Sequence, residues 1–170
     1  GSSATGLFAI QLAVSVGAKV ATTCSQRNFS LLEKLGYKIT QVQEEIINDD
    51  QRQLFVIDYN TKDFGEELRG KEYDVVFDCV GGEQQWISAQ KILKQGVFSS
   101  EHHGYIMHFL SQTPEDLDDI RITYIETGKV KPIIDTVYDL QKDGVEALYS
   151  LYEKSKSGKA QGKLVLKIAD

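Results

Sequence analysis

The chain is 170 residues long, with 41% hydrophobic residues, a mean hydropathy of −0.28 and two prolines, which allows one good core, or one domain and a piece of another. A net charge of −6 and a pI near 5.1 argue against a nucleic-acid or anionic-membrane surface, because both polyanions call for a basic face and the lysines are scattered. No run reaches the length of a membrane span, and the two cysteines, Cys24 and Cys79, lack any zinc-binding spacing, which suits a reducing compartment.

The first element is Gly1-Ser2-Ser3-Ala4-Thr5-Gly6, a small-residue loop running into the apolar stretch 7–14. Small residues let the backbone approach a pyrophosphate, and the free N–H groups and positive dipole end of the following helix meet its charge. An ordinary helix start has the same composition, so the loop alone is a weak signal. Residues 17–24 strengthen it: they read as a helix stop followed by a β-branched strand, which makes loop, helix and strand the start of a βαβ unit. Residues 28–36 look like a short helix closed by Gly36. The polar stretch 37–53, with only Val42, Ile46 and Ile47 as isolated apolar residues, suggests a surface excursion with one helical turn.

Residues 54–57 return to a strand, followed by Asp58-Tyr59 and a short helix over 63–69. Residues 73–80 give the clearest strand pattern, apolar without alternation, as expected for a parallel strand covered on both faces. Gly81-Gly82 break it before a helix through Trp86, Ile87, Ala89, Ile92 and Leu93. Strands alternating with helices over short connections predict an α/β fold with a doubly wound parallel sheet. Residues 96–98 and 105–110 read as further strands, too close together for the crossover that parallel neighbours need. Either the pair is antiparallel, or a segment is missing between Ser100 and Gly104. A helix from Pro114 carries acids in its first turn and ends at Gly128. A strand over 131–138, a helix through Val145, Leu148, Leu151 and Tyr152, and a strand over 162–168 complete the chain.

Several segments in this order resemble the C-terminal half of a medium-chain dehydrogenase/reductase: residues 6–13, Leu35-Gly36, residues 56–59, residues 73–82, residues 128–132 and residues 162–165. The chain is most similar to the zinc-independent quinone oxidoreductase-like branch, and residues 23–26, Trp86 and residues 116–120 are similar to the reticulon-interacting reductases within it. The resemblance implies a Rossmann-type NADP-binding domain over 1–128, with its first strand missing and an insertion over 37–53. It further implies that residues 129–170 return to pack on a GroES-like catalytic domain that the chain does not contain. Where the family loop has glycines, this chain has Ser3 and Ala4, and the family carries a further loop and helix between the positions of Ser100 and Gly104.

The implied cofactor is a nicotinamide dinucleotide. An acid about 20 residues beyond the loop normally holds the adenosine 2′-OH, and here the stretch is Cys24-Ser25-Gln26-Arg27. Arg27 can pair with a 2′-phosphate and Ser25 can hydrogen-bond it, so NADPH is favoured over NADH; the alternative is that Arg27 is an exposed charge ahead of a helix. Tyr59 resembles a family tyrosine that contacts the same phosphate, with aromatic packing as its alternative. The full cofactor-binding set is Ser2, Ser3, Ala4, Thr5, Gly6, Ser25, Arg27, Tyr59, Cys79, Val80, Gly81 and Gly82, the last four at the carboxyl end of a central strand where open α/β sheets bind ligands.

Catalytic residues cannot be named. Cys79 has no His or Lys placed to form its thiolate and reads as a small filler. His102, His103 and His108 lack carboxylate or thiolate partners, so no zinc is expected in this segment. The expected activity is hydride transfer from NADPH to a quinone or an activated alkene or carbonyl, a small-molecule substrate. The alternative is a non-catalytic NADPH-binding sensor or protein-interaction module. A homodimer is left open, and a cytoplasmic or mitochondrial compartment is expected.

Overall fold

The computed structural model describes residues 1–41, 52–94 and 113–169. Helix α1 (Ala4–Ser15) starts at Ser3, whose extended backbone (φ −70°, ψ 159°) and hydroxyl, accepting from the Gly6 N–H at 3.1 Å, form an N-cap. The chain turns at Gly17 (φ 83°) into β1 (Val20–Thr23). A 3₁₀ turn (Gln26–Asn28) leads into α2 (Phe29–Lys34), closed at Gly36, then β2 (Lys38–Thr40) and β3 (Gln53–Ile57). All three strands are parallel, in the order β1-β3-β2, with Val20 opposite Leu54, Thr23 opposite Ile57, and Lys38 opposite Gln53.

β3 organises this sheet. Leu54, Phe55, Val56 and Ile57 are all buried, and burying each is worth about 1.5–3 kcal/mol relative to exposure. Because side chains alternate along a strand, Leu54 and Val56 pack with Leu7, Ile10, Cys24 and Leu32 on one face, while Phe55 and Ile57 pack with Leu68 and Ile92 on the other. Helices α1 and α2 cover the first face. The second is covered by the turns that follow α3 (Phe64–Glu67) and α4 (Glu83–Gln90). A parallel sheet with both faces covered is the predicted α/β architecture.

Two predictions are corrected. Lys38–Thr40, placed by the sequence in a surface excursion, is a strand paired with β3; residues 42–51 of that stretch lie outside the described residues. Residues 73–80 form no strand: Tyr73 makes one isolated parallel bridge with Leu93, and Val75, Phe77 and Val80 are 74%, 66% and 82% exposed. The physical reason is pairing. A strand exists through its ladder, and among the described residues no strand lies alongside 73–80, just as β1 has no partner on the edge away from β3. The strands read at 96–98 and 105–110, and the three histidines, also lie outside the described residues.

Beyond residue 113, α5 (Pro114–Asp119) widens into a π-helical turn over Ile120–Ile125. β4 (Ile134–Asp139) and β5 (Lys163–Lys167) pair in parallel as a second sheet, joined by a crossover through α6 (Leu140–Asp143) and α7 (Val145–Lys156). Gly162 (φ 113°) permits the closest approach here, since a Cβ would lie 2.4 Å from the Ile133 carbonyl oxygen.

Candidate functional site

The loop ahead of α1 lies across the end of β1. The Gly1 nitrogen donates to the Thr23 carbonyl, and Gly6 is buried so closely over Gly1 that a Cβ would stand 3.2 Å from its backbone. Ser3 adopts an extended conformation open to any residue, so glycine is not required there, and its hydroxyl serves the helix cap. Gly6 donates to Ser3 Oγ and Leu7 to the Ser3 carbonyl, while the N–H groups of Ala4 and Thr5 meet no acceptor among the described residues. Two free amides at a helix N-terminus, flanked by the Ser2 and Ser3 hydroxyls, are suited to an anion.

Ser25 and Arg27 follow the end of β1, beside the loop. Asn28 donates from Nδ2 to Ser2 Oγ at 2.8 Å, which ties the 3₁₀ turn to the loop. Arg27 precedes it, exposed, and its guanidinium forms no ion pair among the described residues. The Ser25 hydroxyl makes no cap bond. The amide of Cys24 donates to the Ile57 carbonyl, bringing the ends of β1 and β3 together, and Tyr59 follows β3 with its side chain 57% exposed. Beside it, Asp58 is held by the backbone and side-chain N–H groups of Asn60 at 3.0 and 2.8 Å. A cleft of about 170 Å³ lies at this edge, lined in part by Gln26, Ile57 and Asp58.

Residues 79–82 are arranged differently from the sequence picture. The amides of Val80 and Gly81 donate to Asp78 Oδ1 at 2.8 and 2.9 Å, so both are occupied within the turn. Gly82 (φ 110°) starts α4 in a conformation that favours glycine. The Cys79 thiol is pushed up, chiefly by partial burial, with the neighbouring Asp78 carboxylate adding to the shift. A raised thiol is a poor nucleophile. Cys24 is wholly buried and also pushed up, chiefly by desolvation. Among the described residues no three His, Cys, Asp or Glu side chains gather as a group that could hold a metal ion.

Sequence reasoning missed the residues that fasten the C-terminal segment to this site. Gln11, buried on α1, donates to the Lys131 carbonyl at 3.0 Å and accepts from the Lys131 N–H at 2.8 Å, as a backbone strand would. Gln161, just ahead of β5, donates from Nε2 to Asn28 Oδ1 at 2.7 Å. Its own N–H donates to Asp135 at 2.6 Å, and Asp135 also binds Lys154 and the Thr136 hydroxyl. No local spacing could have signalled pairs separated by 120 and 133 residues.

Two models of the zinc-binding dehydrogenase family match, one over residues 54–166 and one over residues 4–98. The chain belongs to that family. Within it the relatives are quinone oxidoreductase-like and enoyl reductase-like members of the medium-chain dehydrogenases, as the sequence motifs implied. The chain is 27% identical to the mitochondrial NAD(P)H oxidoreductase RTN4IP1 of Drosophila melanogaster, over 100% of this chain and 44% of that protein. It is 31% identical to the chloroplastic NADPH-dependent alkenal/one oxidoreductase of Arabidopsis thaliana, over 98% of this chain and 38% of that protein. The quinone oxidoreductase from Coxiella burnetii superposes with a TM-score of 0.70 at 23% identity, over 99% of this chain and 50% of that one, which establishes the shared fold. The chain therefore spans about half the length, or less, of the family members it matches. No described helix is long and apolar enough to cross a membrane.

Proposed function

We propose that this chain is the cofactor-binding part of an NADPH-dependent oxidoreductase that passes hydride to a quinone or an activated alkene or carbonyl. One observation carries the reading. The free amides of Ala4 and Thr5 and the Ser2 hydroxyl lie at the N-terminus of α1, and the Asn28 bond to Ser2 ties to this loop the 3₁₀ turn that carries Arg27, exposed and without an ion pair among the described residues. That donor set fits a dinucleotide carrying an extra phosphate: amides and hydroxyls for the pyrophosphate, and a guanidinium fork for the 2′-phosphate. The Drosophila NAD(P)H oxidoreductase and the Arabidopsis NADPH-dependent oxidoreductase, relatives of this chain, support the same cofactor.

The nicotinamide supplies the hydride when bound, and the protein's part is to bind, orient and exclude water. The α1 N-terminus and Ser2 fix the diphosphate, Arg27 selects the phosphorylated ribose, and Tyr59 stands at the neighbouring strand end. The turn at residues 79–82 is the part assigned in this reading to the nicotinamide side. Residues 129–170 provide the return segment: Ile134, Val137, Val145, Tyr149, Tyr152 and Ile168 remain exposed, and a catalytic domain would cover them.

Nicotinamide fluorescence on the intact protein tests the reading. NADPH should bind, and Arg27→Ala should weaken it about tenfold to a hundredfold, the worth of a charge-assisted contact, while leaving NADH unchanged. A panel of quinones and enals should then oxidise the bound NADPH. Binding without oxidation by any of them refutes the enzyme. Failure of both nucleotides to bind refutes the cofactor.

A further inference from the structure

We infer that Asn28 is a positioning residue, held by Gln161, that aims the Ser2 hydroxyl at the cofactor's diphosphate; the inference rests on the NADPH reading above. Asn28 occupies the N-cap of α2, a position asparagine normally takes because its side chain caps the helix. Here the side chain makes no cap bond. Its amide, buried with the rest of the residue, lies between two other partners: Nδ2 donates to Ser2 Oγ at 2.8 Å, and Oδ1 accepts from Gln161 Nε2 at 2.7 Å.

The direction of these bonds is the informative part. Gln161 donates to Asn28, and Asn28 donates to Ser2. A hydroxyl whose oxygen already accepts from an amide has its proton free to donate elsewhere, and the next group along is whatever anion sits at the α1 N-terminus. Both side-chain amides donate in the same direction, toward Ser2, and each bond polarises the next. Gln161 fixes which end of the Asn28 amide faces Ser2, because only Oδ1 can accept from Nε2. The Gln161 backbone is itself held by the bond from its N–H to Asp135, a β4 carboxylate that also accepts from the Thr136 hydroxyl and the Lys154 ammonium on α7. Residues at the far end of the chain thus set the proton orientation of a residue in the phosphate loop.

A double-mutant cycle on the intact protein tests this, with NADPH and NADH affinities read by nicotinamide fluorescence and unfolding midpoints read without nucleotide. Gln161 is largely exposed, so Gln161→Ala should fold. It should weaken both nucleotides by the same factor, about tenfold to a hundredfold for one hydrogen bond lost to a charged acceptor. Added to Ser2→Ala, it should weaken them no further, because both changes remove the same bond. Gln161→Glu keeps the side chain's size but presents an acceptor to Asn28. The Asn28 amide then turns over, accepts the Ser2 proton and leaves lone pairs facing the phosphate, so this variant should bind more weakly than Gln161→Ala. The role is overturned if either Gln161 variant binds like wild type, or if the Ser2 and Gln161 effects multiply in the double variant, as independent structural damage would. If wild type binds neither nucleotide, the NADPH reading falls first and the positioning role falls with it.

Discussion

Asp135→Asn removes a charge from a carboxylate that is only 9% exposed and ties β4 to the entry of β5. Burial alone would raise the Asp135 pKa, but the Gln161 N–H, the Lys154 ammonium and the Thr136 hydroxyl outweigh it and hold the value at about 2 against an ordinary 3.8. A folded-state pKa below the unfolded one stabilises the fold above the unfolded value, and that stability disappears as pH falls through the folded value. The window is therefore about pH 4 down to pH 2. At about 1.36 kcal/mol per unit the full shift corresponds to ~2.4 kcal/mol. The carboxylate is covered by only a thin layer of protein and Lys154 is 34% exposed, so solvent screening reduces this to about 1–2 kcal/mol, counted once for the pair. Urea unfolding of wild type and Asp135→Asn at a series of pH values should show wild type ahead by that amount from pH 5 to 7, with the lead shrinking between pH 4 and 2. Equal midpoints at pH 7, or a lead unchanged at pH 2, would refute the reasoning.

Gly65→Ala places a Cβ 2.7 Å from the backbone of Ser88, which is wholly buried, and strains the 2.7 Å bond from Ser88 to Asp63. The gain in helix propensity, about 1 kcal/mol, offsets only part of an overpacking cost of about 1–3 kcal/mol. A lowered unfolding midpoint is expected; an unchanged or higher one would show that α3 and α4 slide apart freely. Gln11→Leu keeps the bulk of a buried side chain but leaves the Lys131 N–H and carbonyl without their partners, a loss of about 1–3 kcal/mol. The Lys131 amide should then exchange with solvent far faster, and unchanged protection would show that Gln11 does not hold the segment.

The parts of the fold legible in the sequence were those fixed by local chemistry. The small-residue start of α1, the β-branched run of β1, the apolar block 54–57 and the glycines at 17, 36 and 128 each specify their own conformation. Residues 73–80 show the limit: their composition suits a doubly covered strand, yet without a neighbour among the described residues to complete the ladder they form no strand, and Val75, Phe77 and Val80 stay exposed. Lys38–Thr40 erred the opposite way, since three residues in polar surroundings become a strand only through the edge that β3 offers. In the proposed site, the loop and Arg27 stand out in the sequence because a phosphate calls for small residues, free amides and a cation. Asn28 and Gln161 were not, because an amide's partner is chosen by tertiary geometry.

The link from Gln161 to Ser2 consists of neutral amides and a hydroxyl, whereas in the proposed site Arg27 would meet a 2′-phosphate as an exposed ion. Added salt screens the second kind of contact and hardly touches the first. Raising ionic strength should therefore erode the preference for the phosphorylated nucleotide sooner than it loosens the grip on the diphosphate, so that the protein's discrimination, more than its capacity to bind, follows the ionic composition of the compartment it works in.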